Sequence, residues 1–207
     1  MKRPVVRLIG RIRIDPALMR AFLLALCFLL GGVAGHVWAV SGADGETLGR
    51  YLRDYCVLYE DGPSVSLAGC ALLYFGYVTL AFLLGFSSVG VVLIPALSAF
   101  FGFLSMYAVT CFSVAFGPRG ILLALGAMGV RMLFTLPCFL ILSAAAWPLA
   151  TALAVFSFGG GKRAAPVVRG KGYFVLFGLC VLILTVGVCC ERFLTPLLFR
   201  LAMAGAL

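Results

Sequence analysis

The sequence predicts an all-α fold: a polytopic membrane helix bundle of about five transmembrane helices with a cytosolic N-terminus, one integral membrane domain over residues 1–207. Three observations predict it. The chain is 64% hydrophobic and only 11% charged, whereas soluble domains average about 50% apolar and about 25% charged. So much apolar surface needs lipid as its solvent. Apolar runs of membrane-crossing length alternate with short breaks. The charges, net +9, are segregated along the chain: Lys2, Arg3, Arg7, Arg11, Arg13 and Arg20 at the N-terminus, Lys162, Arg163, Arg169 and Lys171 in a second basic cluster, and Asp44, Glu46, Asp54, Glu60 and Asp61 between them.

Residues 1–20 are read as a cytosolic basic segment. Within it, 5–14 interleave arginines with branched apolar residues before Pro16, a pattern that suits an anionic membrane surface as well as a disordered basic tail. This n-region is too long for a cleavable signal. The first span is Ala21–Val40, about twenty residues at ~1.5 Å each across a ~30 Å hydrocarbon core. Gly31 and Gly35 form a GxxxG pair there, a candidate surface for close helix packing, and Trp38 suits the outer interface.

Residues 41–64 are the one substantial polar loop, expected outside the membrane. Leu48, Tyr51, Leu52, Tyr55, Leu58 and Tyr59 recur at helical spacing, so an amphipathic helix is expected. Its tyrosines either rest on the lipid interface or form a partner surface made of Tyr51, Tyr55 and Tyr59, with Glu191 contributed from the C-terminal end. The uncharged stretch 65–116 is too long for one helix. It reads as two spans, Val65–Phe86 and Val91–Phe116, with a break at Gly85–Gly90.

Gly117-Pro118-Arg119-Gly120 is a turn by composition. Residues 121–158 then carry one charge, Arg131, with Pro137 and Pro148 inside. A straight helix of that length would reach about 57 Å, so one tilted, kinked or broken span is expected, with a partial dip possible near Gly126–Arg131. Residues 159–172 form a glycine-rich basic loop, and the last span is Tyr173–Cys190, followed by a short apolar end. Cytosolic loops hold the excess of Lys and Arg. Five spans from a cytosolic N-terminus put 1–20 and 159–172 inside and 41–64 outside; six would put the 159–172 cluster outside.

The chemistry in the sequence is sparse. There is no HExxH, GxxxxGK[ST] or GxSxG, and no acidic pair within a span, so no enzyme, cofactor or metal site is expected. Seven of the eight cysteines lie in or beside apolar runs, as small packing residues; Cys56 alone lies in the polar loop. His36 is the one histidine. The basic clusters flank spans rather than covering a folded polar surface, which argues against nucleic acid. Arg131 is the candidate intramembrane polar site. It holds an anionic group or a partner, or else its guanidinium is satisfied by carbonyls of a broken helix.

The order of these elements resembles the stage II sporulation protein M family over about Arg20 to Arg200. The resemblance is carried by an outer loop after the first span, the Leu84-Gly85-Phe86-Ser87-Ser88-Val89-Gly90 turn, and the Gly117–Gly120 turn before Leu136-Pro137-Cys138-Phe139-Leu140-Ile141-Leu142. The Cys190-Glu191-Arg192-Phe193-Leu194-Thr195-Pro196 ending is similar as well. The family's proline and polar pair upstream of the Leu-Pro run is replaced here by Gly129-Val130-Arg131-Met132, which keeps a polar position without the proline. The resemblance implies a non-catalytic scaffold in the cell membrane, septal or engulfing during endospore formation, that recruits peptidoglycan-degrading partners similar to the stage II proteins D and P. The alternative is a small permease subunit, which would use the broken span and Arg131.

Overall fold

In the computed structural model, residues 16–42, 67–158 and 170–204 are described. Among them the chain is helix after helix, without a strand: α1 (Pro16–Gly42), α2 (Leu67–Leu84), α3 (Gly90–Phe116), α4 (Pro118–Ala124), a π-helical stretch (Leu125–Gly129), α5 (Val130–Phe158) and α6 (Gly170–Ala204). Four helices among these residues are long and apolar enough to cross a membrane: Pro16–Gly42, Gly90–Phe116, Val130–Ser157 and Gly172–Arg192. The apolar Tyr74–Leu84 stretch of α2 is shorter. An apolar segment in lipid must satisfy its backbone internally, which selects helix. Large side chains outside the bundle, among them Phe22, Leu29, Val33 and Trp38 on α1, are exposed, as lipid contact allows.

α1 and α3 pack closely. A Cβ on Gly31 would collide with the backbone carbonyl of Ala99, one on Gly35 with that of Phe103, and one on Gly102 with that of Phe28. Backbone therefore lies on backbone from both sides, an approach that only glycine permits. Two side-chain hydrogen bonds accompany it. The hydroxyl of Ser98 donates to Leu24 O at 2.8 Å, and His36 Nδ1 lies 2.9 Å from Thr110 Oγ1. Thr110 gives its proton to Met106 O at 2.8 Å, so its oxygen accepts and His36 Nδ1–H donates. The paired positions rise together along both helices, from Leu24 with Ser98 to His36 with Thr110, so α1 and α3 run parallel.

α2 runs antiparallel to α3 through the turn at 85–89, which is closed by Phe86 N–H to Leu83 O at 3.0 Å and Gly90 N–H to Ser87 O at 3.1 Å. At this end the Phe82 ring stacks on Phe177 (centroids 4.1 Å apart) and on Tyr173 (5.0 Å). The Tyr173 hydroxyl donates to Phe82 O at 3.0 Å, a second donor to a carbonyl in the last turn of α2 that also accepts from Gly85 N–H at 3.2 Å. α5 and α6 form an antiparallel hairpin: Cys180 Sγ approaches Cys138 O at 3.9 Å, and Gly187 packs against Phe134 and Tyr74. Tyr74, Val78, Phe139, Leu142 and Leu184 make up much of the core between them.

These directions place the start of α1, the 85–89 turn and the start of α6 at one end of the bundle. The end of α1, the start of α2 and the Gly117 turn (φ +64°) lie at the other. The two basic segments therefore join the bundle at the same end, and the acidic loop joins at the opposite one.

Two expectations are refined. The stretch after Gly117 is helical throughout from Pro118 to Phe158, and its irregularity is a π turn rather than a gap in the helix. The last helix does not stop at Cys190 but continues past Pro196 to Ala204. Tyr51, Tyr55, Tyr59 and the amphipathic helix expected around them lie outside the described residues, as do the basic N-terminus before Pro16 and most of the 159–172 loop.

Candidate functional site

A cavity of about 170 Å³ lies between α2, α3 and α5, lined by Tyr77, Phe101, Leu104, Ser105, Ala108, Met128, Arg131, Met132 and Thr135. Each element reaches it for a local reason. Phe101, Leu104 and Ser105 occupy the middle third of α3. Tyr77 is on α2 with its ring 4.5 Å from that of Phe101. Arg131 and Met132 come directly after the π stretch Leu125–Gly129. A π turn holds an extra residue, so it rotates everything beyond it by roughly 100° relative to an unbroken α-helix. That rotation sets the face on which Arg131 emerges.

The polar groups in the wall are incompletely satisfied. Arg131 is half-buried and, among the described residues, makes no hydrogen bond or ion pair. Thr135 is 2% exposed and its Oγ1 has no hydrogen-bond partner. Ser105 is satisfied, donating to Phe101 O at 2.6 Å. A guanidinium without a partner among apolar walls carries a desolvation cost. A buried hydroxyl without a partner costs about 1–3 kcal/mol. Together they make a site able to donate hydrogen bonds to an anionic or strongly accepting group, against walls that are otherwise apolar.

Of the other residues singled out in the sequence, Gly31 and Gly35 lie on the α1 face against α3. Glu191 is buried on α6, while its neighbour Arg192 is exposed. Glu191 makes no ion pair among the described residues, and nothing brings it together with Tyr51, Tyr55 or Tyr59, which lie outside them. The antiparallel register of α5 and α6, with Phe134 beside Gly187, brings Glu191 to nearly the level of Arg131. Thr135 and Tyr77 were not singled out in the sequence. A lone threonine or tyrosine in an apolar run gives no signal until the fold shows which wall it faces.

Cys27, Cys111, Cys138, Cys180, Cys189 and Cys190 are free thiols, and among the described residues no group of three His, Cys, Asp or Glu side chains could hold a metal ion. No family model, no curated protein and no solved structure matches the chain.

Proposed function

We propose that the chain is a non-catalytic membrane anchor of five spans with its N-terminus in the cytosol, holding cell-wall hydrolases similar to the stage II proteins D and P at the septal or engulfing membrane of an endospore-forming cell. The observation that carries the anchor reading is the backbone-to-backbone packing of α1 on α3. The segment 43–66 leaves from the end of α1 and re-enters at α2, and α2 is joined to α3 by the 85–89 turn. The attachment of both basic segments at one end supports the orientation, because Lys and Arg collect on the cytosolic side. The choice of partner rests on the sequence resemblance alone.

The test is recruitment. Tyr51→Ala with Tyr55→Ala, at normal membrane level, is expected to abolish co-purification of a peptidoglycan hydrolase from detergent-solubilised sporulating cells. Unchanged recruitment excludes the tyrosine stripe as the binding surface. One observation favours the second reading, a permease subunit: the cavity adjoins an irregular helix turn, and transporters build substrate sites at broken helices. Solute uptake by proteoliposomes of the pure chain would support that reading against the anchor.

A further inference from the structure

We propose that the cavity beside Arg131 binds the anionic headgroup of an amphiphile, a carboxylate or a phosphate carrying an apolar tail. The inference does not depend on the anchor reading. The charge of Arg131 is uncompensated among the described residues. The guanidinium offers five N–H donors in a planar fork suited to a carboxylate or phosphate, and no described residue takes them up. The nearest acidic candidate by level, Glu191, forms no ion pair with it. The cavity, about 170 Å³, has room for several waters. Water would hydrate the hydroxyls but would leave the positive charge unneutralised among apolar walls, where an unpaired cation is costly.

The second observation is Thr135. Its side chain is buried, its Oγ1 has no partner, and it lines the same cavity one helical turn from Arg131. The Tyr77 hydroxyl, which makes no hydrogen bond among the described residues, adds a third donor to that wall. The rest of the lining, Phe101, Leu104, Ala108, Met128 and Met132, is apolar and suits the first carbons of a chain rather than a fully hydrated ion. Leu104 belongs both to the cavity and to the exposed outer face of α3. An occupant can therefore enter sideways from the lipid, with its tail left among the acyl chains.

The experiment uses the full chain, purified in a non-ionic detergent, and follows thermal unfolding and binding of four probes: oleate, dioctanoyl phosphatidate, methyl oleate and inorganic phosphate. Oleate or the phosphatidate is expected to bind and raise the Tm; whichever is tighter identifies the headgroup class. Methyl oleate and inorganic phosphate are expected to do neither. Arg131→Leu should weaken binding about tenfold or more, as loss of a hydrogen-bonded charge does, Arg131→Lys should weaken it less, and Thr135→Val a few-fold.

Equal binding of methyl oleate, equal binding of inorganic phosphate, no response to either anionic amphiphile, or unchanged affinity in Arg131→Leu would each overturn the proposal. Should Arg131→Leu not fold, photolabelling of the wild-type chain with a diazirine fatty acid decides. Label on peptides containing residues 101–108 and 128–135 supports the site, and label confined elsewhere overturns it. A double-mutant cycle between Arg131→Leu and Glu191→Gln that shows strong coupling without ligand would mean the two side chains pair with each other, and would also overturn it.

Discussion

Replacing Gly31 by alanine tests the central contact of the fold. The added Cβ would fall on the Ala99 carbonyl, so α1 and α3 must part by about 1 Å before the contact becomes tolerable; a gap of 0.5–1 Å already forfeits about a quarter to a half of each dispersion well along the seam. Overpacking of this kind costs about 1–3 kcal/mol, offset by up to about 1 kcal/mol for exchanging glycine for alanine in a helix. The expected net loss is about 1–2 kcal/mol. Gly35→Ala meets the Phe103 carbonyl and should behave alike. The double variant should cost less than the sum of the two, because the parting that relieves one collision relieves the other. The matched controls are Gly76→Ala and Gly178→Ala, where a Cβ would meet nothing within 4 Å; they should be neutral or stabilising. Reversible unfolding in mixed micelles, followed by circular dichroism, measures all five. If Gly31→Ala is no more destabilising than Gly178→Ala, the backbone contact does not hold the bundle and the reasoning fails.

Three further outcomes follow from other contacts. Thr135→Val removes a buried hydroxyl without a partner at nearly constant volume, so ligand-free stability should rise by about 1 kcal/mol in the same unfolding assay; a loss would show that the hydroxyl is satisfied. Tyr173→Phe keeps the ring on Phe82 but deletes the 3.0 Å bond to its carbonyl, and should cost about 0.5–1.5 kcal/mol, measured against Phe174→Leu as a packing control. For topology, a membrane-impermeant thiol reagent on intact cells should label Cys56, while a cysteine introduced by Gly160→Cys should stay unlabelled until permeabilisation; the reverse pattern inverts the bundle.

How far the sequence could be read depended on the kind of signal. The turn between α2 and α3 was visible because Gly85, Ser87, Ser88 and Gly90 interrupt an otherwise apolar run, and the structure puts the turn at 85–89. The start of α3 and its end at Phe116 were legible from the same kind of punctuation, Gly-Pro after an apolar run. The faces of the helices were not. A segment that is apolar all round carries no amphipathic stripe to say which side is buried, so the GxxxG of α1 showed a surface without its partners, Ala99, Phe103 and the reciprocal Gly102. The π turn was read only as an irregular span, because an extra residue per turn has no residue type of its own. Arg131 stood out as a charge, but the unpartnered hydroxyl of Thr135 beside it depends on tertiary surroundings that no local pattern encodes. The expected last span ends at Cys190, yet the helix runs on through Pro196 to Ala204, as membrane helices tolerate.

The parallel pairing of α1 with α3 also sets an order on biogenesis. α1 is synthesised first, yet the backbone groove that receives it belongs to a helix whose packed positions come 74 residues later in the chain, about 4–15 s of translation at roughly 5–20 residues per second. Throughout that interval α1 must wait in the bilayer with its glycine face and His36 unmatched, while α2 threads back in the opposite direction. A nascent chain interrupted before α3 emerges would carry an apolar helix with an open flank, the kind of orphan segment that membrane quality control removes. The same glycines that hold the mature bundle together would mark the unfinished one for disposal.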